Sequence, residues 1–176
     1  MKQMFTLIVV AITLTLAMVA NANEVAINTD IQTGKQCLEL NMSKNLTNQL
    51  GLFAYAAQTT GWSEAYVGPT YAPTANLQVG IAAGIESGQT NTRFGGFLWA
   101  GHKQFSLLAL GEDGGSGQWW KLEGKYALDS ETTVGILQEI NKGTGLLVER
   151  KLDKEITIRV RLYGEGRGDV GLKLAF

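Results

Sequence analysis

Along most of this chain apolar and polar side chains alternate one by one, and the alternation restarts after each short turn. In "EITIRVRLY", Ile156, Ile158, Val160 and Leu162 fall on one side of an extended backbone, with Thr157, Arg159, Arg161 and Tyr163 on the other. "QWWKLEGKYA" sets Trp120, Leu122, Gly124 and Tyr126 against Trp119, Lys121, Glu123 and Lys125. "LQVGIAAGIE" sets Leu77, Val79, Ile81, Ala83 and Ile85 against Gln78, Gly80, Ala82, Gly84 and Glu86. A period of two belongs to the β-strand, whose successive side chains leave opposite faces of the sheet. Clusters of Gly, Asn, Asp and Ser such as "SGQTN", "EDGGSG", "NKGTG" and "GEGRGD" punctuate the segments and make tight turns. The pattern predicts strands near 36–43, 49–58, 62–71, 77–86, 92–100, 104–112, 118–127, 132–140, 145–152, 155–163 and 169–176. A weaker segment, "EVAINTDI" at 24–31, precedes the turn-like "QTGK". Segments this close in sequence pair as an antiparallel meander.

Two arrangements give each strand one wholly apolar face. A soluble sandwich or barrel turns that face into its core. A transmembrane barrel turns it towards lipid and encloses the polar face. The polar faces here are loaded with Gly and Ala, poor choices for a solvated surface but suited to a crowded interior. Aromatic residues gather towards strand ends (Trp62, Tyr71, Trp99, Phe105, Trp120, Tyr126, Tyr163 and Phe176), as interfacial girdles require. Segments of about 9–11 residues cross the hydrocarbon when tilted. The first residues fit export: Lys2, an apolar run from Phe5 to Val19, and Ala20-Asn21-Ala22 as an A-x-A cleavage site. Residues 1–22 therefore read as a signal peptide, and 23–176 as a single barrel domain. The run is too short for a retained membrane anchor and no basic cluster follows it.

The final segment, Asp169-Val-Gly171-Leu-Lys-Leu174-Ala-Phe176, resembles the C-terminal targeting strand of Gram-negative outer-membrane proteins. Asp169, Gly171, Leu174 and Phe176 occupy its polar, glycine, hydrophobic and terminal aromatic positions. The resemblance implies recognition by the barrel-assembly machinery, with Phe176 as anchor. In such barrels the strand number is even. Eleven strands would leave an open edge in lipid, so "EVAINTDI" is needed to close the sheet. The expectation is a closed antiparallel up-and-down transmembrane β-barrel, all-β, of twelve strands; ten is the alternative if two short segments share one irregular strand.

With the apolar faces outward, the enclosed acids are Glu39, Glu64, Glu86, Glu112, Glu123, Glu139 and Glu149. The enclosed bases are Arg93, Lys121, Lys125, Lys151, Arg159, Arg161 and Lys173. Cross-strand pairs are expected, such as Glu123 and Lys125 with Glu139, or Glu149 with Arg159 or Arg161. Small inward residues on 62–100 (Gly68, Gly80, Ala82, Gly84 and Gly95) would leave room for a narrow aqueous path, and the bases Arg159, Arg161 and Lys173 would favour acidic solutes. Arg93, Lys121, Glu123, Lys125, Glu139, Glu149, Arg159, Arg161 and Lys173 are thus the candidate pore-lining residues. The functional expectation is a small, weakly selective porin-like channel, with a non-conducting structural barrel as the competing class. Apolar residues on both faces of "LGLFAYAA" and "FGGFLWAG" show that part of the interior is oily, which also keeps a soluble apolar-ligand carrier in view.

Other chemistry has little footing. His102 is the sole histidine, in the turn "GHK" with Ser106 nearby; catalysis also needs a third orienting group and a site, so no enzyme is expected and a lipid-active outer-membrane enzyme ranks below the channel and the structural barrel. Cys37 is the sole cysteine, which rules out an internal disulfide. A net charge of −1 without basic blocks gives no sign of nucleic-acid binding. No cofactor or metal is expected. The expected partners are outer-membrane lipids, lipopolysaccharide and the assembly machinery.

Overall fold

A computed structural model of the chain describes residues 22–176. The segment that reads as a signal peptide lies almost wholly outside these residues. Twelve strands follow one another with hardly any other regular structure: β1 (Ala22–Asp30), β2 (Gln36–Asn45), β3 (Leu50–Thr59), β4 (Trp62–Thr74), β5 (Leu77–Glu86), β6 (Arg93–His102), β7 (Phe105–Asp113), β8 (Trp119–Ala127), β9 (Thr132–Glu139), β10 (Gly143–Lys151), β11 (Ile156–Tyr163) and β12 (Gly168–Ala175). Each pairs with its sequence neighbours, and β1 pairs with β12, so the sheet is a closed barrel. The weak segment is thus a full strand, with Ile27 opposite both Leu172 and Leu38. The ten-strand alternative drops out. Closure gives every strand a partner on both sides, which removes the unpaired backbone groups that lipid would not tolerate.

The faces are inverted relative to a soluble protein. On β5, Ile81 is 69% exposed while the adjacent Gly80 and Ala82 are buried. On β11, Ile158 and Leu162 are exposed on the outer surface, whereas Arg159 and Arg161 are buried inside. The same alternation recurs at Ile136 against Leu137 and at Leu146 against Leu147. Bulges at Ala22/Glu24 and Tyr71/Thr74 shift the register locally.

Among the described residues the connections span two to six residues. Their sequences explain why they turn. Asp129 and Asp153 occupy matching "LD" turns, and each carboxylate accepts two backbone N–H groups, from Glu131 and Thr132 and from Glu155 and Ile156. Those bonds hold the Asp129 carboxyl below the usual carboxylate range. The turns 46–49, 75–76, 103–104, 128–131 and 152–155 lie at the end where β1 starts and β12 finishes, here the proximal end. The other six turns lie at the distal end.

The aromatic girdle is thinner than the sequence suggests. Tyr71, Phe105, Trp120 and Phe176 are exposed on the outer face, and Tyr126 joins them, its ring 4.7 Å from that of Phe105. Trp62, Trp99 and Tyr163 point inward instead. Each shares its strand face with a lumen residue (Glu64, Arg93 and Arg161 respectively), a parity that their position near strand ends obscures.

Candidate functional site

The candidate site is the barrel interior, built from the residues that alternate with the lipid-facing set. At the distal end, β4 to β7 bring Glu64, Glu86, Arg93 and Glu112 together. The Arg93 guanidinium lies 2.8 Å from Glu86 and 3.0 Å from Glu112, and its Nε donates to the Tyr66 hydroxyl at 2.6 Å. Tyr66 donates in turn to Glu112 at 3.0 Å, and Trp62 Nε1 donates to Glu86 at 2.7 Å. Ser116, in the β7–β8 turn, folds onto the same knot: its backbone N–H donates to Glu86 and its hydroxyl accepts from Arg93. One base thus serves three acids.

The opposite wall, from β8 round to β2, carries a longer rail of ion pairs. Lys121 and Lys125 flank Glu123 at 3.4 and 2.8 Å. Lys125 also reaches Glu149 at 3.0 Å, Glu149 reaches Lys173 at 3.4 Å, and Lys173 reaches Glu24 at 2.9 Å. Beside the rail, Arg161 pairs with Asp169 at 2.7 Å, and Arg159 donates to Asn28 at 2.7 Å and lies 3.5 Å from Glu39. The rail skips strands: Lys125 on β8 meets Glu149 on β10 across Gly135 of β9. A Cβ at Gly135 would come 2.6 Å from the Gly124 carbonyl oxygen and 3.4 Å from Lys125 Cγ, so only glycine fits beneath that crossing.

Every candidate pore residue of the sequence pattern faces the interior: Arg93, Glu123, Glu139, Glu149, Arg159 and Arg161 are buried, and Lys121, Lys125 and Lys173 are half-buried. Their pairing differs from expectation in two places. Glu139 takes Lys142 at 2.9 Å and the Tyr163 hydroxyl at 2.7 Å rather than Glu123 or Lys125. Glu149 stands opposite Arg159 in register, yet its ion partners are Lys125 and Lys173, because Arg159 turns the other way towards Asn28 and Glu39. Lys151 shares the inward parity but is exposed at the proximal end of β10, where the strand outruns the enclosed lumen. Glu24, Asn28 and Asp169 were missed as members of the network; their inward parity on β1 and β12 was the available signal.

The interior is also fuller than small residues alone suggest. Phe97 lies over Gly80, where an added Cβ would come within 2.8 Å of three ring carbons, and Tyr66 lies over Gly84, where two ring carbons would be as close. Leu137, Leu147 and Tyr163 form a buried apolar cluster on β9 to β11. At the proximal mouth a cavity of about 340 Å³ remains, lined by Trp99, Gln104, Ser106, Thr133, Lys125 and Glu149 among others. His102 and Ser106 both border it, and no hydrogen bond between described residues joins them. Of the terminal-strand residues, Asp169 and Gly171 are buried on the inner face, whereas Leu174 and Phe176 lie on the outer one.

No protein-family model and no curated protein matches the chain. Solved structures do. The KdgM porin superposes with a TM-score of 0.64 over 87% of this chain and 99% of its own, at 16% identity. The NanC porin gives 0.54 over 88% and 99%, at 11% identity. A Rhodopseudomonas blastica porin variant gives 0.50 over 81% of this chain and 55% of its own, at 13% identity. The chain has the fold of outer-membrane porins. A closed barrel with an apolar outer face and an enclosed polar interior suits a lipid bilayer.

Proposed function

We propose that the barrel is a narrow, weakly selective, porin-like channel for small polar or acidic solutes. The observation that carries this is the ionic rail Lys121–Glu123–Lys125–Glu149–Lys173–Glu24, whose members Lys125 and Glu149 also line the proximal cavity. A chain of fixed charges replaces part of a solute's hydration as it moves, which is how a polar lumen conducts. Lys173 in the rail, with Arg159 and Arg161 beside it, gives this wall its affinity for carboxylates, while the acid-rich knot around Arg93 opposes it, so selectivity is weak. Solved structures of the same fold include KdgM in complex with disordered oligogalacturonate. The interior is committed to fixed charge and packing, which favours passage over catalysis.

We further propose that residues 1–22 are cleaved on export from a Gram-negative cytoplasm, that lipopolysaccharide surrounds the distal rim, and that the assembly machinery reads Asp169, Gly171, Leu174 and Phe176. A second function is favoured by the buried Leu137–Leu147–Tyr163 cluster, namely a non-conducting structural barrel. Planar-bilayer recording decides between them. Refolded protein should give discrete steps, and replacing Arg159, Arg161 and Lys173 by glutamine should move the reversal potential towards cations. The absence of steps above background would refute the channel; an unchanged reversal potential would refute the role of those bases.

A further inference from the structure

Phe53 and Phe97 stand on β3 and β6, three strand spacings apart around the wall. Three spacings amount to about 14 Å. Yet their ring centroids lie only 5.1 Å apart, edge to face at 85°. Two side chains rooted that far apart meet only by leaving the wall and arching over β4 and β5. What they arch over is small: Gly68 faces Phe53 in register, and Gly80 faces Phe97. The arch rests directly on Gly80, where an added Cβ would come within 2.8 Å of three ring carbons of Phe97. Down the inner face of β6 the order is Arg93, Gly95, Phe97, Trp99, Gly101. The arch therefore lies between the ionic knot at the distal end and the cavity at the proximal mouth. Beside it Leu110 stands opposite Phe97 on β7.

We propose that the Phe53–Phe97 arch is the constriction of the lumen and sets the size of solute that passes. An aromatic waist between two charged compartments narrows the path and resists wetting. Gly80 provides the space that seats it. This deepens the channel function proposed above, and it is separable from it by experiment.

The test compares wild type, Phe97→Ala and Phe53→Ala in planar bilayers with potassium chloride as the probe, with heat-modifiable migration used to establish that each is folded. Phe97→Ala is expected to raise single-channel conductance by about two-fold or more. Phe53→Ala, which removes the partner ring and leaves Phe97 on Gly80, should raise it less and serves alone if Phe97→Ala does not fold. A folded variant that conducts no better than wild type overturns the constriction, whether wild type conducts or not. Conduction by Phe97→Ala from a silent wild type upholds the constriction and overturns the open native channel instead.

Discussion

Arg93 shows how much of this interior hangs on single residues. Its guanidinium meets Glu86, Glu112 and Tyr66 at hydrogen-bond distance, and the residue is only 3% exposed. Removing one partner of a buried pair strands the others, which costs about 3–5 kcal/mol. Arg93→Gln should therefore lower unfolding stability by that amount, read as a fall in denaturant midpoint for protein refolded in vesicles. A shift within error of zero would mean that water, not Arg93, holds the three glutamates. The inward direction of Arg93 is legible in the alternation of "RFGGFLWAG", but its partners are not. Glu64 lies on β4 and Glu112 on β7, and only the register of three further strand pairs brings them together. Lys125 illustrates the same gap: nothing local says that it will pass over Gly135 to reach Glu149.

At the level of the strand, period-two alternation located nearly everything, because each strand has lipid on one side and an enclosed polar space on the other. β1 was the faint one. Its inner face carries Glu24, Ala26 and Asn28, and its worth shows only on closure, when Asn28 meets Arg159 across Gly171 and Glu24 meets Lys173. Strand ends misled where the middles did not: near a turn, Trp62, Trp99 and Tyr163 resemble girdle residues although their parity is inward. The strand argument makes its own prediction at Ile81, midway along β5 and open to the outside. Ile81→Arg should destabilise the membrane-inserted barrel by about 2–4 kcal/mol, as expected for a basic residue near the bilayer midplane. Equilibrium folding into lipid vesicles measures it, and an effect below a few tenths of a kcal/mol would place β5 away from hydrocarbon.

For the whole molecule, inversion of the faces organises every other feature. Lipid takes the greasy side chains, so the charges have only one another, and they segregate into an arginine knot on β4–β7 and a lysine–glutamate rail on the opposite wall. The existence of a charged lumen was readable from composition and parity; its filling by Phe53, Phe97 and Tyr66 was not, since small inward residues look like empty space until the side chains that occupy it are placed. Inversion is tested most directly by brominated-lipid quenching of single-tryptophan variants, one retaining outward Trp120 and the other retaining inward Trp99, each refolded into vesicles of dibrominated phosphatidylcholine. Strong quenching of Trp120 with little loss of Trp99 emission is the predicted result. Equal quenching of the two, or none for Trp120, would contradict a barrel whose oily surface looks at lipid.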